Sequence, residues 1–325
     1  MKKTSIGGQA LIEGLLMIGP ENTAVAIRKP DGEIIVNKSP LQKKSKISKI
    51  PVIRGGFNLI RQMVIGVKAL MYSAEFYELG EEDDKKSPSK FQKFLEDFWG
   101  GRIKKAIDKL DKLLENKFQD IAIYMAVILS VALSVGLFIL IPNIIAGFFK
   151  FNKDTFWGVV LYNLIEGLLR VTIFLGYIIM ASRLKDIKRI WEYHGAEHKT
   201  IHCYENEEEL TVENVKKYST KHPRCGTSFM FLVIIVSILV FSFVGWHSMF
   251  INIIMRILLI PLVAGLAYEA VKFAGRCEWK IAGIINAPGM MFQLFTTKEP
   301  DDKQIEVAIE ALKNVLVEDK EADKW

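Results

Sequence analysis

Apolar residues dominate four long runs in the second half of the chain. Ile121 to Pro142 carries no charge in 22 residues. Phe156 to Ser182 is interrupted by Glu166 and Arg170, Thr227 to Trp246 is uncharged, and Ser248 to Ala274 contains Arg256, Pro261 and Glu269. Runs of about 20 apolar residues match the thickness of a bilayer as helices. They predict four transmembrane spans, the last two joined as a tight hairpin. Residues 55–79 form a different helix. Arg61, Lys68 and Glu75 recur every seventh residue and make one narrow polar stripe on an apolar rod. That pattern suits a helix lying at the interface or packed on the bundle.

The polar segments take other rhythms. Thr23 to Arg28 and Glu33 to Asn37 are β-branched runs around Pro30-Asp31-Gly32, a predicted hairpin. Gly7 to Gly14 is glycine-rich but lacks a P-loop's Lys-Ser/Thr and the spacing of a dinucleotide fingerprint. Lys38 to Lys49 carries five lysines, suiting either a solvated linker or contact with anionic lipid. Residues 91–118 read as charged amphipathic helix broken near Gly100-Gly101. Residues 277–297 read as an interfacial segment interrupted at Ala287-Pro288-Gly289. Ile305, Ala308, Ile309, Leu312, Val315 and Leu316 fall at helical spacing and predict an amphipathic helix that docks on the rest.

The fold class expected is therefore mainly α. It is a polytopic membrane protein with about four transmembrane helices and a cytoplasmic cap containing a small N-terminal β-hairpin. The parts are a module over 1–54, interfacial and amphipathic helices over 55–118, and a transmembrane region over 119–275. A histidine-rich segment, 183–226, interrupts that region, and 276–325 closes the chain. With 50% hydrophobic and 25% charged residues, the composition fits membrane helices with soluble parts. Lys and Arg crowd the segments before the first span and between the second and third. The positive-inside rule then puts both termini and the histidine segment in the cytoplasm of a bacterial inner membrane. Three cysteines, all on that side, make a disulfide framework unexpected. The start, Met1-Lys2-Lys3 with a weak apolar run and Ala24-Val25-Ala26, imitates a signal peptide, but Gln9, Glu13 and four glycines argue for mature protein.

The chemistry concentrates in Glu192 to Cys203, which holds three of the five histidines. His194-Gly195-Ala196-Glu197-His198 is an H-x-x-E-H pattern. On a helix, residues at i and i+4 lie on one face, about 6 Å apart along the axis. His194 and His198 can then share one tetrahedral ion, zinc or another divalent metal. Glu197 is the candidate catalytic base. His202 is too far along the helix to join both. A third ligand must come from elsewhere, and His222 is expected rather than Cys225, because a thiolate would leave the metal a weaker Lewis acid. His and Glu alternating on a helix also describe a plain solvated face.

Gly7 to Gly14, Arg28 to Glu33, Glu192 to Lys199 and His222 to Thr227 together resemble the bacterial YqhQ-like membrane family, over nearly the whole chain. The resemblance implies an inner-membrane protein and a predicted metal-dependent enzyme, with neither substrate nor reaction. Ile18 stands where that family often has a basic residue, which argues against an anion site there.

Two functions compete. One is a metal-dependent hydrolase at the cytoplasmic membrane face, acting on a membrane peptide or lipid-linked substrate. The other is a channel, transporter or assembly factor in which Glu166, Arg170 and Glu269 line the path and the histidines are structural. Membrane lipid is an expected partner, and nucleic acid is not.

Overall fold

The computed structural model describes residues 4–41, 50–78, 118–276, 280–317 and 322–323. The charged helix expected over residues 91–118 lies outside the described residues apart from its last position. The fold is mainly helical, with a small antiparallel sheet at the N-terminus.

The sheet is larger than the expected hairpin. Strands β1 (Gly7–Leu11), β2 (Gly14–Ile18), β3 (Asn22–Arg28) and β4 (Ile34–Pro40) form a meander in sequence order. The β3–β4 pair is the hairpin read from the sequence, with Arg28 opposite Ile34. The first two strands escaped notice for a physical reason. β1 is glycine-rich, and β2 is a continuous apolar run because both its faces are buried. Leu15, Met17, Ala24 and Ala26 face one core, while Leu11, Leu16 and Val25 face another. Such a sheet gives no polar–apolar alternation to read.

Helix α1 (Ile53–Glu78) covers the second face through Ile65 and Ala69. Its other contact is with the membrane helices. Gly55 and Gly265 bring α1 against α9 (Ile260–Arg276), where a Cβ on Gly265 would lie 2.4 Å from the Val52 carbonyl oxygen. Arg54 pairs with Glu269 at the same crossing. Glu269 thus partners α1. An apolar stripe of α1, including Phe57, Ile60, Met63, Val64 and Val67, remains exposed.

Helix α2 (Phe118–Val135) continues through a π-helical turn, Gly136–Leu140, into α3 (Ile141–Gly147). Helix α4 (Phe156–Ala181) follows. Within these, Ile128–Gly147 and Phe156–Ala181 are long and apolar enough to cross a membrane. The third expected span is the shorter helix α7 (Gly226–Val244), apolar over Phe229–Val244. The fourth is broken. Helix α8 (Met249–Leu258) and α9 meet at a 48° bend, and counted as one span they raise the number of crossings to three. Pro261 at the start of α9 explains the break, since it removes a backbone donor and clashes with the preceding turn. Of the four spans expected, two helices are thus long and apolar enough to cross a membrane, or three if the bent pair is one span, and four are not established.

The membrane-helix charges are tied together. Glu166 accepts from Arg170 at 2.9 Å and from Arg256 at 2.9 Å, all three mostly buried. Arg170 also donates to the Phe138 carbonyl inside the π-helical turn, a group that the irregular ladder leaves available.

Helix α5 (Lys185–Glu205) carries the histidine segment, and α6 (Val212–Lys216) follows it. After α10 (Lys280–Thr296), which runs through Pro288 without the expected interruption, α11 (Asp302–Lys313) starts with a capping box of Asp301 and Gln304. Its stripe, Ile305, Ala308 and Leu312, packs with Tyr193, Ala196 and Ile201 of α5 and the first sheet face. The sheet, α5 and α11 therefore share one core, as the apolar stripe predicts.

The tight crossing gives a prediction. Gly265→Val should destabilise the detergent-solubilised protein by about 1–3 kcal/mol, because overpacking against Val52 backbone cannot relax cheaply. Gly56→Ala, with no atom within 4 Å of the added carbon, should leave the melting temperature unchanged or higher. Thermal unfolding of both variants compares them.

Candidate metal centre

Helix α5 is unusual in burying a polar surface. Glu197, His198, Lys199, Thr200 and Glu205 are all 5% exposed or less. A buried polar group without a partner is costly, so each needs one. Thr200 bonds the Ala196 carbonyl, Lys199 bonds the Lys216 carbonyl and pairs with Glu299, and Glu205 accepts from the Thr4 amide and pairs with Arg224.

The two histidines of the pattern face the same way. His194 Nδ1 donates to the Thr296 carbonyl at 2.8 Å, and His198 Nδ1 donates to the Thr220 carbonyl at 2.6 Å. Backbone carbonyls that accept from both Nδ1 atoms orient the rings and leave each Nε2 as the atom that could meet an ion, the usual outer support of a metal-binding imidazole. Gly195 makes the first of these contacts possible. A Cβ there would lie 2.0 Å from the Lys298 oxygen, so only glycine admits the 296–298 backbone, whose Lys298 N–H bonds the Trp191 carbonyl.

The third member is Cys225. His194 Nε2 lies 3.2 Å from its Sγ, and His194, His198 and Cys225 each offer a ligand atom within 4.8 Å of the others. This differs from the ligand set expected from the sequence. His222 turns instead toward Glu205, 3.4 Å away, and groups with His202 and Glu205. The reason is local. His222 N–H and C=O both bond the Gln293 side chain, which fixes that residue's backbone, while Cys225 sits at the start of α7 and points back at α5. The second group also contains Arg224, whose fixed positive charge opposes a cation. The sequence signal for Cys225 was its place two residues after Pro223, at the junction with an apolar helix.

Glu197 completes the arrangement. Its Oε1 accepts the Gly8 amide at 2.7 Å, while Oε2 is buried with no partner among the described residues. Burial pushes this carboxyl up, against the pull of His194 and His198. Burial also opposes the charged forms of His194 and Cys225, but each favours the other's charge. The imidazole is pushed up to about 9 and the thiol is held well below its ordinary value. Two imidazoles, an easily ionised thiol and a free carboxylate oxygen suit a tetrahedral divalent ion with an open fourth position. His194, Glu197, His198 and Cys225 all line a cavity of about 600 Å³.

A mainly helical protein with two to three apolar helices compatible with a membrane, and a His–Cys–Glu cluster beside its N-terminal sheet, is thus the class that the fold and site define. The chain belongs to the family described as "Protein of unknown function (DUF1385)", whose model matches residues 50–318. It is 34% identical to "Uncharacterized protein YqhQ" of Bacillus subtilis (strain 168) over 319 residues, covering 95% of this chain and 92% of that protein. No solved structure matches.

Two outcomes are expected. Gly195→Ala should force the Lys298 backbone away, loosen His194 from Thr296, and weaken metal binding about 10–100-fold, read by competition with a chelator. His222, pushed down to about 4 by burial despite Glu205, gives the second. Its folded value lies below the ordinary 6.5, so the unfolded chain binds the extra proton first. Its contribution is complete above pH 6.5 and falls as pH drops toward 4, by at most about 3 kcal/mol. His222→Asn should flatten the acid limb of a plot of melting temperature against pH.

Proposed function

We propose that this protein is a metal-dependent hydrolase at the cytoplasmic face of a bacterial inner membrane. His194, His198 and Cys225 would hold zinc or another divalent ion, and Glu197 would act as base. The observation that carries the reading is the paired anchoring of both Nδ1 atoms on backbone carbonyls, which brings both Nε2 atoms within reach of Cys225 Sγ. A bound ion would supply the Lewis acidity that readies a water for attack at neutral pH. The residues do the rest. Glu197 Oε2, free of other bonds, accepts the water's proton, and its raised proton affinity lets it pass that proton to the leaving group. The Gly8 amide holds the other oxygen and keeps the carboxylate oriented.

The substrate would be a membrane peptide or a lipid-linked molecule. Support comes from the cavity wall, where Leu59, Phe229, Met230 and Val271 sit near the apolar helices. Four spans, with α7 and the bent α8–α9 pair each crossing, would place both termini and the site in the cytoplasm. A reporter fused at Lys153 should then read as external, and a cytoplasmic signal there would overturn the orientation.

The competing reading is a transporter, channel or assembly factor. The buried Glu166–Arg170–Arg256 cluster favours it, since ionisable groups inside membrane helices mark transport paths. The imidazoles favour the enzyme, because they bond to Thr296 and Thr220 and not to the N-terminal sheet.

Elemental analysis of protein purified without chelators tests the assignment. Wild type and Glu197→Gln should carry about one ion per chain. His198→Ala and Cys225→Ser should lose it, and His222→Ala should retain it. Glu197→Gln should fail to complement a deletion strain. Wild type without metal would remove the enzyme reading, and loss in His222→Ala with retention in Cys225→Ser would restore the ligand set expected from sequence.

A further inference from the structure

The edge of the sheet beside the candidate site has backbone groups without partners. The strand order leaves β1 at one edge. Neighbouring residues of an antiparallel strand turn their N–H and C=O groups alternately to either side. Gly8 donates its N–H to Glu197 and not to β2, so Gly8 and Ala10 present their backbone groups at the open edge. Among the described residues no hydrogen bond reaches the Ala10 N–H, the Ala10 carbonyl or the Gly8 carbonyl. Gly7 has no atom within 4 Å of where a Cβ would stand.

What lies along that edge is the 600 Å³ cavity, whose lining runs from Thr4 to Ala10 and includes the whole His–Cys–Glu cluster. The sheet faces supply its walls. α5 lies on one face of the sheet and α1 on the other, and both reach past β1, through His194 and Glu197 on one side and Leu59 and Gln62 on the other. The cavity is therefore a slot at the open edge of a strand. An unpaired edge is a template for another strand, and peptide binding by strand addition uses such edges.

We infer that this slot binds an extended, apolar peptide segment that pairs with β1, so that one of its peptide bonds lies beside Glu197. The inference rests on the hydrolase reading for its chemistry and names its substrate class. A peptide is favoured over a lipid-linked head group because the slot offers alternating backbone donors and acceptors on one wall. Leu59, Phe229, Met230 and Val271 form an apolar part of its lining that suits alternate side chains. The same helix α1 that gives Leu59 and Gln62 to the slot exposes an apolar stripe on another face, which fits a site held at the membrane surface. In turnover the water oxygen bonds to the peptide carbonyl carbon and the C–N bond breaks. Glu197 carries the water's proton to the departing nitrogen, so peptide and water give an acid and an amine.

The test uses full-length Glu197→Gln protein in nanodiscs, which binds without turning over. The probe is a fluorescein-labelled pool of ten-residue peptides with randomised apolar residues at alternate positions. Binding is read by anisotropy and by hydrogen exchange at Ala10. The peptide should slow exchange at Ala10. Methylating the backbone nitrogens of one alternate set should weaken binding about tenfold, the equivalent of one or two lost hydrogen bonds, while the other set is tolerated. The probe changes and the protein does not, so a misfolded variant cannot confuse the result. No binding by the pool, or equal tolerance of both methylated sets, overturns the inference. Protection of Ala10 by isoprenyl phosphate vesicles alone would also overturn it, and would leave a hydrolase with a lipid-linked substrate. Metal analysis of the same preparation separates the two readings. Peptide bound to metal-free protein would leave a strand-binding groove and remove the hydrolase.

Discussion

Burial of a polar helix is the constraint on which the rest depends. From Tyr193 to Glu205, α5 is largely enclosed by the sheet, α11, the segment before α7 and the end of α10. Water cannot satisfy its side chains, so the surrounding chain must. Thr4, Gly8, Lys216, Thr220, Arg224 and Thr296 all supply partners, and they come from segments far apart in sequence. The cap is thereby tied together by hydrogen bonds that only one arrangement satisfies. Against that background the unpaired Oε2 of Glu197 stands out, because the neighbouring carboxylate Glu205 is fully engaged.

The same enclosure separates the two histidine groups. His202, Glu205 and His222 form with Arg224 a paired, charge-balanced cluster that holds the end of α5. His194, His198 and Cys225 face one another and open to the cavity. One helix thus carries a structural half and a half suited to chemistry, distinguished by which neighbours supply charge.

The sheet joins these parts to the apolar helices. Its two buried faces bring α5 and α1 together, and α1 is clamped to α9 by the Gly55–Gly265 approach and the Arg54–Glu269 pair. A shift of the bent α8–α9 pair would therefore bear on the wall of the cavity through α1. The Glu166 cluster acts on the other arm of that pair, holding α8 to α4 and α4 to the π-helical turn.

Local periodicity determined much of this from sequence alone. The amphipathic α1 and α11, the β3–β4 hairpin, the apolar helices and the shared face of His194 and His198 follow from spacings of two or 3.6 residues. Strands β1 and β2 did not follow, because glycine carries no pattern and a strand buried on both faces has none. The break between α8 and α9 and the continuous α10 depend on which prolines neighbouring helices tolerate. The third member of the histidine site expected from sequence is His222, an expectation that rests on ligand chemistry and not on any spacing. His222 and Cys225 lie three residues apart, and sequence offers both. Only the tertiary structure chose, because the Gln293 side chain captures the His222 backbone and Glu205 its ring, leaving Cys225 to face the two imidazoles.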